Sequence, residues 1–476
     1  MATPVSEMPS IVSDLRASFA TGLTRPLSFR KSQLQHIEAL VDENLEQLSS
    51  ALTADMGSRA TKIRVCLDDV KKQVRYMMST LDKKARAQWE ATPPDAQDVG
   101  RWKIVPEPYG VVLIIAPWNF PFNLVMVPLI AAIAAGNVVV IKPSEVAANT
   151  TALIADLIPK YLDARAVRVV LGAVPETTAL LEQRFDKICY TGGTKVGRVV
   201  AAAAARHLTP TLLELGGKQD AQAHARARTV RKCPVYVHKS ADMPIAAERT
   251  LRGRFANCGQ FCIAADYVLA DREVMPLLVQ EMKAALPRVC GADPKTSDLY
   301  GRIVSEAHVD RIAAFLQEEH GGTIIAGGKV DRDSRYVEPT IVLAPTADSK
   351  MLSEEIFGPI LPLVPIDGGI DEAISCVNAG DTPLAAYVFA EDKNVAERWV
   401  ERVSAGGMAV NAVATQLDNV NVPFGGKGES GMGAYRGAYN FDDRFCFMIS
   451  FTHHKTVLIA HTGKRRALAD LLARIW

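Results

Sequence analysis

The chain begins with apolar residues recurring at helical intervals. From Arg25 to about Arg86, Leu, Ile and Val fall three and four residues apart among long charged side chains, so the stretch reads as helices with one buried face. "ATPPDAQDVGRWKIVPEPYG" then breaks the period with prolines and reads as an extended arm or hairpin. From Val111 the pattern changes. Short β-branched runs ("VVLIIAP", "NVVVIKP", "VRVVLG", "KICYTG") alternate with helical stretches ("PLIAAIAAG", "NTTALIADLIPKYL", "KVGRVVAAAAARHL"). That alternation predicts parallel strands with crossover helices, a doubly wound α/β sheet. After Gly217 a second α/β region runs to about Gly428. The closing "FDDRFCFMISFTHHKTVLI" is apolar and aromatic at strand-like density.

Composition narrows this picture. At 476 residues the chain is long enough for more than one domain. With 48% hydrophobic and 22% charged residues it belongs with ordinary globular proteins. A net charge of +1 gives no electrostatic footprint for nucleic acid. The 8 cysteines show no paired metal-ligand spacing and are too sparse for a disulfide scaffold, which favours a reduced, cytosolic setting. "MATPVSEMPSIVSDLRASFA" lacks the basic and apolar regions of a secretory signal. Val111 to Ile141 contains no charged residue, yet Pro117, Pro121, Pro128 and Gly136 divide it. It reads as strand, turn, buried helix and strand, not as a membrane span.

Several short motifs could carry chemistry, and each alone is ambiguous. "KICYTGGTKVGRVV" puts Gly192 and Gly193 between a strand and a helix. Such a turn lets a phosphate approach the backbone and the helix N-terminus, but it also occurs as an ordinary turn. "VVVIKPSE" ends a strand with Lys142 and Glu145, where doubly wound sheets bind ligands and where solvated strand ends are also common. "NCGQFC" holds Cys258 and Cys262: a buried thiol, an activated nucleophile or a regulatory disulfide. "APWNFPFN" fixes Asn119 between two prolines, as an oxyanion donor or a turn former.

In combination and order, "PWNFP", "KPSE", "TGGTKVG", "LELGGK", "NCGQFC", "EEIFGP", "GGMAVN" and "PFGGKGESGMG" resemble the NAD(P)-dependent aldehyde dehydrogenase superfamily. The resemblance runs from about Thr24 to Leu458. "TRPLSFRKSQL", "AAGNVVVIKPSE" and "HLTPTLLELGGK" look most like its class 3 branch, which acts on fatty and aromatic aldehydes. It implies an α/β fold with a Rossmann-type cofactor domain over 1–85 and 107–217 and a second α/β catalytic domain over 218–428. A small β oligomerisation arm over 86–106 and 429–460 and a tail over 461–476 complete it. It implies oxidation of an aldehyde to a carboxylic acid, with Cys262 as nucleophile, Asn119 as oxyanion donor and Glu214 as the base that activates water. Lys142 and Glu145 match positions near the adenine ribose. Gly192, Gly193, Thr194 and Gly197 match the pyrophosphate turn, and Glu355 and Phe357 the nicotinamide end. Asn411 matches a structural amide behind the site. The cofactor is NAD or NADP, no metal is implied, and a homodimer is expected. Glu214 speaks against a coenzyme-A-acylating relative, which needs no base for water.

The chain also departs from the family pattern. Gly193 stands where the family usually has Ser. About 219–232 interrupts the run from "LELGGK" to "CPVYV", and about 444–450, "RFCFMIS", interrupts the arm. Each insert is either a true loop or an artefact of gene prediction. The first, with Arg226, Arg228, Arg231 and Lys232, is expected to be solvated. Its position beside Glu214 raises an alternative, a cofactor-binding member with impaired catalysis. In the tail, Leu468, Leu471, Leu472, Ile475 and Trp476 share a helical face beside Lys464, Arg465 and Arg466. That face suits a membrane surface or packing on the body of the protein.

Overall fold

The computed structural model describes residues 2–57, 60–90, 100–216, 232–436 and 451–460. Helices α1 (Met8–Ala20), α2 (Leu27–Glu43), α3 (Leu45–Met56) and α4 (Ala60–Lys84) come first. The helical period from Arg25 to Arg86 thus becomes three helices. α1 was not anticipated; its buried face is only Met8, Val12 and Leu15, too short a pattern to stand out.

Strands β1 (Gln88–Trp89) and β2 (Gly100–Pro108) follow, then β3 (Val111–Ile115), α5 (Asn123–Ala135), β4 (Val138–Lys142), α6 (Ala148–Tyr161), β5 (Val167–Val169), α7 (Val174–Leu181), β6 (Lys187–Gly193), α8 (Thr194–Ala205) and β7 (Thr211–Gly216). Val111 to Ile141 is therefore strand, turn, buried helix and strand, as its prolines predict. Every residue of β3 and β4 is buried, which is why these strands read as continuous apolar runs without alternation. Among the described residues no helix is long and apolar enough to cross a membrane.

The second region comprises β8 (Pro234–Val237), α9 (Met243–Phe255), β9 (Tyr267–Asp271), α10 (Met275–Cys290), α11 (Glu306–Gln317), β10 (Thr323–Ala326), β11 (Val330–Asp331), β12 (Tyr336–Val337), β13 (Thr340–Leu343), α12 (Lys350–Ser353), β14 (Ile360–Ile366), α13 (Gly369–Asn378), β15 (Ala385–Phe389), α14 (Lys393–Arg402) and β16 (Gly407–Val410). β17 (Gly431–Met432) and β18 (Thr452–Ala460) close the described chain.

Among the described residues three larger sheets organise these elements, beside the two-stranded pair β11-β12. The first has the order β17-β7-β6-β3-β4-β5 and the second β10-β13-β14-β9-β8-β15-β16. In the first, β3 to β7 are parallel; only β17 runs against its neighbour β7. Its strand order reverses between β3 and β6, the place where such sheets bind ligands at their carboxyl ends. The third sheet is an arm, β1-β2-β18, with β18 antiparallel to β2 from Thr452 opposite Pro108 to Ala460 opposite Gly100.

One expectation fails at the end of the first insert. Lys232 is buried, not solvated: its side chain is 1% exposed and its Nζ lies 3.1 Å from Asp266 Oδ2. A lysine at the edge of a polar stretch looks solvated until the fold brings it a carboxylate thirty-odd positions later. The rest of that insert, the interruption at 444–450 and the tail at 461–476 lie outside the described residues.

Candidate active site

Seven of the residues singled out in the sequence line one cavity of about 710 Å³: Asn119, Gly192, Gly193, Glu214, Cys262, Glu355 and Phe357. Asn119 follows β3, the glycine pair ends β6, and Glu214 lies in β7, so one wall is the carboxyl edge of the first sheet. Cys262 comes from the loop between α9 and β9. Glu355 and Phe357 come from the segment before β14.

The loop that carries Cys262 has an unusual backbone. Asn257, Cys258 and Gly259 all have left-handed φ values, 51°, 54° and 72°. Only the last of the three is a residue that adopts them at no steric cost. A Cβ on Gly259 would lie 2.2 Å from the Gly358 carbonyl oxygen, so this position must be glycine for the loop to pack on the Phe357 segment. The turn separates the two cysteines of "NCGQFC". Cys262 is half-buried on the cavity, whereas Cys258 is 1% exposed and packed in the core. Neither is in a disulfide, and burial pushes the thiol of Cys258 up. The disulfide reading of this motif therefore falls away.

Asn119 is held on both sides. Its Nδ2 donates to the Gln260 carbonyl at 3.2 Å, and its own carbonyl accepts from Asn257 Nδ2 at 2.9 Å. Gln260 is anchored in turn, donating to the carbonyls of Asn257 (3.1 Å) and Arg302 (3.0 Å) and accepting from Val304 N–H at 2.9 Å. A buried amide fixed in advance on the same cavity as a thiol is able to stabilise an oxyanion that develops there. Glu214 is 3% exposed, opposite Gly431 of β17. Burial, and secondly the charge of Glu214, hold the hydroxyl of cavity residue Tyr435 protonated.

Other wall residues escaped the sequence reading. Trp118, inside the "PWNFP" motif, sets its ring edge-on to His308 at 4.7 Å and to Phe357 at 5.5 Å. His308 is pushed down to about 4 by burial and by Arg311, so it lines the cavity as a neutral imidazole, with Nδ1 2.8 Å from Ser305 Oγ. Arg436 pairs with both oxygens of Asp69, at 2.7 and 3.0 Å. Nothing local in the sequence marks His308, Arg311, Asp69 or Arg436.

The remaining predicted positions lie off the cavity. Lys142 Nζ pairs with Glu145 Oε2 at 2.7 Å, the lysine buried and the carboxylate exposed. Thr194 is buried in the first turn of α8. Gly197 is where α8 presses on β7: a Cβ there would meet Leu215 Cδ2 at 2.4 Å. Gly193 differs, since a Cβ would meet nothing nearer than the Gly216 oxygen at 3.6 Å. Asn411, at φ 54°, donates to the Ala390 carbonyl at 3.1 Å and accepts from its N–H at 2.9 Å, bracing the end of β15.

Comparison with known proteins gives a consistent result. Residues 5–446 match the aldehyde dehydrogenase family. Aldehyde dehydrogenase family 3 member H1 of Arabidopsis thaliana is 41% identical over 463 residues, covering 95% of this chain and 90% of that protein. The rat protein named "aldehyde dehydrogenase, dimeric NADP-preferring" is 38% identical over 461 residues, covering 96% of this chain and 95% of its own length. Among solved structures, a substrate-bound state of Staphylococcus aureus AldH superposes with a TM-score of 0.90 at 35% identity, covering 98% of this chain and 99% of that one.

Proposed function

The chain belongs to the aldehyde dehydrogenase family, and from that premise we propose that Cys262, Asn119 and Glu214 oxidise aldehydes to carboxylic acids with NAD or NADP. The observation that carries this reading is the convergence of these three side chains with Glu355 and Phe357 on one cavity at the switch point of a parallel sheet.

The steps follow from the chemistry of the side chains. The Cys262 thiolate attacks the aldehyde carbon, forming a C–S bond and an oxyanion. Asn119 Nδ2 and the backbone N–H of Cys262 hold that oxyanion, a charge absent from the free aldehyde, so the interaction lowers the barrier and does not merely tighten binding. The chemistry supplied by the bound nicotinamide is acceptance of a hydride from this carbon, which leaves a thioester on Cys262. Glu214 then takes a proton from water, the hydroxide adds to the thioester, and the thiolate leaves as the acid is released. No observation favours the impaired, binding-only alternative.

The chain's own residues fit the cofactor. Gly193 leaves the backbone open at the N-terminus of α8, a seat for a pyrophosphate, and Gly192 makes room for the Tyr190 hydroxyl, which a Cβ there would meet at 2.4 Å. Val196 and Val199, one turn apart on α8, are 45% and 57% exposed, and Val174 at the start of neighbouring α7 is 75% exposed. A flat ring such as adenine laid on α8 would cover Val196 and Val199. Lys142 ends β4 and Glu145 follows it, with β3 between β4 and β6, and we assign both to the ribose end. We assign 1–85 with 107–217 to cofactor binding and 218–428 to catalysis.

Two substitutions test this assignment. Gly193→Ser restores the hydroxyl usual in the family at a position with room for it. One added hydrogen bond contributes about 0.5–1.5 kcal/mol, so the KM for cofactor should fall roughly two- to twelve-fold. Glu145→Gln removes the carboxylate that repels a 2′-phosphate and frees Lys142 to meet it. Two charges at about 4 Å interact by about 1 kcal/mol in water and about 4 kcal/mol near a protein surface, so the NADP/NAD ratio of kcat/KM should rise about fivefold or more. An unchanged ratio would place the ribose elsewhere.

The cavity wall is mainly apolar, with Phe120, Leu124, Phe261, Leu417 and Phe424 on it. This suits an aliphatic or aromatic aldehyde. The arm β1-β2-β18 offers a sheet edge to a second copy, and we read the enzyme as a homodimer. None of the seven described cysteines is in a disulfide, which fits a cytosolic setting. Surface contact with a membrane through the 461–476 tail belongs to the same reading, and deleting the tail should weaken liposome binding. The central test is cofactor reduction by the purified full chain, with NAD and with NADP, across aliphatic and aromatic aldehydes. Absence of NAD(P)H with every aldehyde would end the reading, and a product that required coenzyme A would replace it.

A further inference from the structure

A buried ionic cluster stands behind the cavity and takes no part in the steps above. One oxygen of Asp266 lies 3.1 Å from Lys232 Nζ, and the other accepts from Arg254 Nη1 at 2.7 Å. All three side chains are at most 4% exposed. Lys232 also donates to the carbonyl of Met351 and, at 3.1 Å, to that of Glu354. The Ile356 N–H faces the Asp266 carboxylate at 3.4 Å. The run from Met351 to Ile356 is thus tied at three residues to one lysine–aspartate pair. Glu355 lies inside that run and Phe357 directly after it. From the other side, Arg311 Nη2 donates to the carbonyls of Ile356 (2.8 Å) and Phe357 (3.2 Å).

Such a cluster is costly to build. Each interior charge carries a desolvation penalty of several kcal/mol, which the mutual attraction only partly offsets. Burial lowers the proton affinity of Lys232 and Asp266 opposes that effect. An apolar side chain would fill the same space without this conflict, but it could not bind two carbonyls of one segment. The ammonium does so: its three N–H groups match the two carbonyls and Asp266. We propose that Lys232 is a positioning residue for the oxidation half of the reaction, fixing the Glu355–Phe357 segment against the nicotinamide end of the cofactor. It touches neither substrate nor cofactor. The proposal rests on the roles given above to Glu355 and Phe357.

The test separates oxidation from hydrolysis at the same cysteine. Hydrolysis of p-nitrophenyl acetate needs Cys262, Asn119 and Glu214 but no nicotinamide, so it reports on the rest of the site. In Lys232→Met, kcat for NAD(P)-dependent oxidation should fall about 10- to 100-fold, the scale of a misplacement near 1 Å. A primary isotope effect with a 1-deuterated aldehyde should appear or grow, because hydride transfer becomes slower. Cofactor-free ester hydrolysis should stay within about twofold of the parent. Equal loss of both activities would reduce Lys232 to a general structural support and overturn the proposal, as would unchanged oxidation. If Lys232→Met does not fold, Lys232→Gln, which keeps a donor for one carbonyl, is read by the same criteria. A parent enzyme with neither activity would instead overturn the aldehyde dehydrogenase mechanism itself.

Discussion

Cys262→Ala is expected to lose both aldehyde oxidation and ester hydrolysis while still binding cofactor. Removing the nucleophile of a covalent mechanism costs about 10⁴- to 10⁶-fold, because the remaining groups can only polarise a carbonyl that nothing attacks. Another thiol should not stand in. Cys258, four residues away, faces the core, and its thiol is pushed up by burial. Cys66, on the cavity wall, is pushed up to about 11 for the same first reason, so almost none of it is thiolate near neutral pH. The measurement is NAD(P)H formation beside cofactor binding by fluorescence titration. More than about one per cent residual turnover, against the expected 10⁴-fold loss, would show that another group is the nucleophile.

Glu214→Gln should fail at a different step. Attack by Cys262 and hydride transfer need no base at this position, so mixing with aldehyde and cofactor should release about one NAD(P)H per site in a burst, as the two-step mechanism requires. Turnover should then slow about 10²- to 10⁴-fold, the usual contribution of a general base. Intact-mass spectrometry of the stalled enzyme should show the acyl group on Cys262. A variant that turns over linearly at the parent rate would remove Glu214 from the mechanism. A variant with no burst would place Glu214 before the thioester.

The sheet was legible because β3 and β4 are buried along their whole length, so chemistry and pattern coincided. Asn119, Glu214 and Cys262 were legible only jointly. Each sits in a short stretch with an ordinary structural explanation, and what they share is visible only where a loop after β3, the end of β7 and the loop before β9 face one cavity. The residues that escaped depend on long-range encounters. Arg436 meets Asp69 across 367 positions of sequence, and Lys232 meets carbonyls about 120 positions away. No window on the sequence contains both partners of such a contact. Lys232 was misplaced for this reason: its neighbours on the preceding side are polar, and its carboxylate partner lies on a distant part of the chain.

The same lysine has a consequence for protein engineering. Glu214 is pinned in β7 and Lys232 is pinned by Asp266, so the intervening chain spans two fixed posts. Closure entropy changes slowly with length, about 0.6 kcal/mol for each doubling. Doubling the number of residues between Gly216 and Lys232 is therefore expected to change folding stability by only about 0.6 kcal/mol, provided that both posts keep their partners.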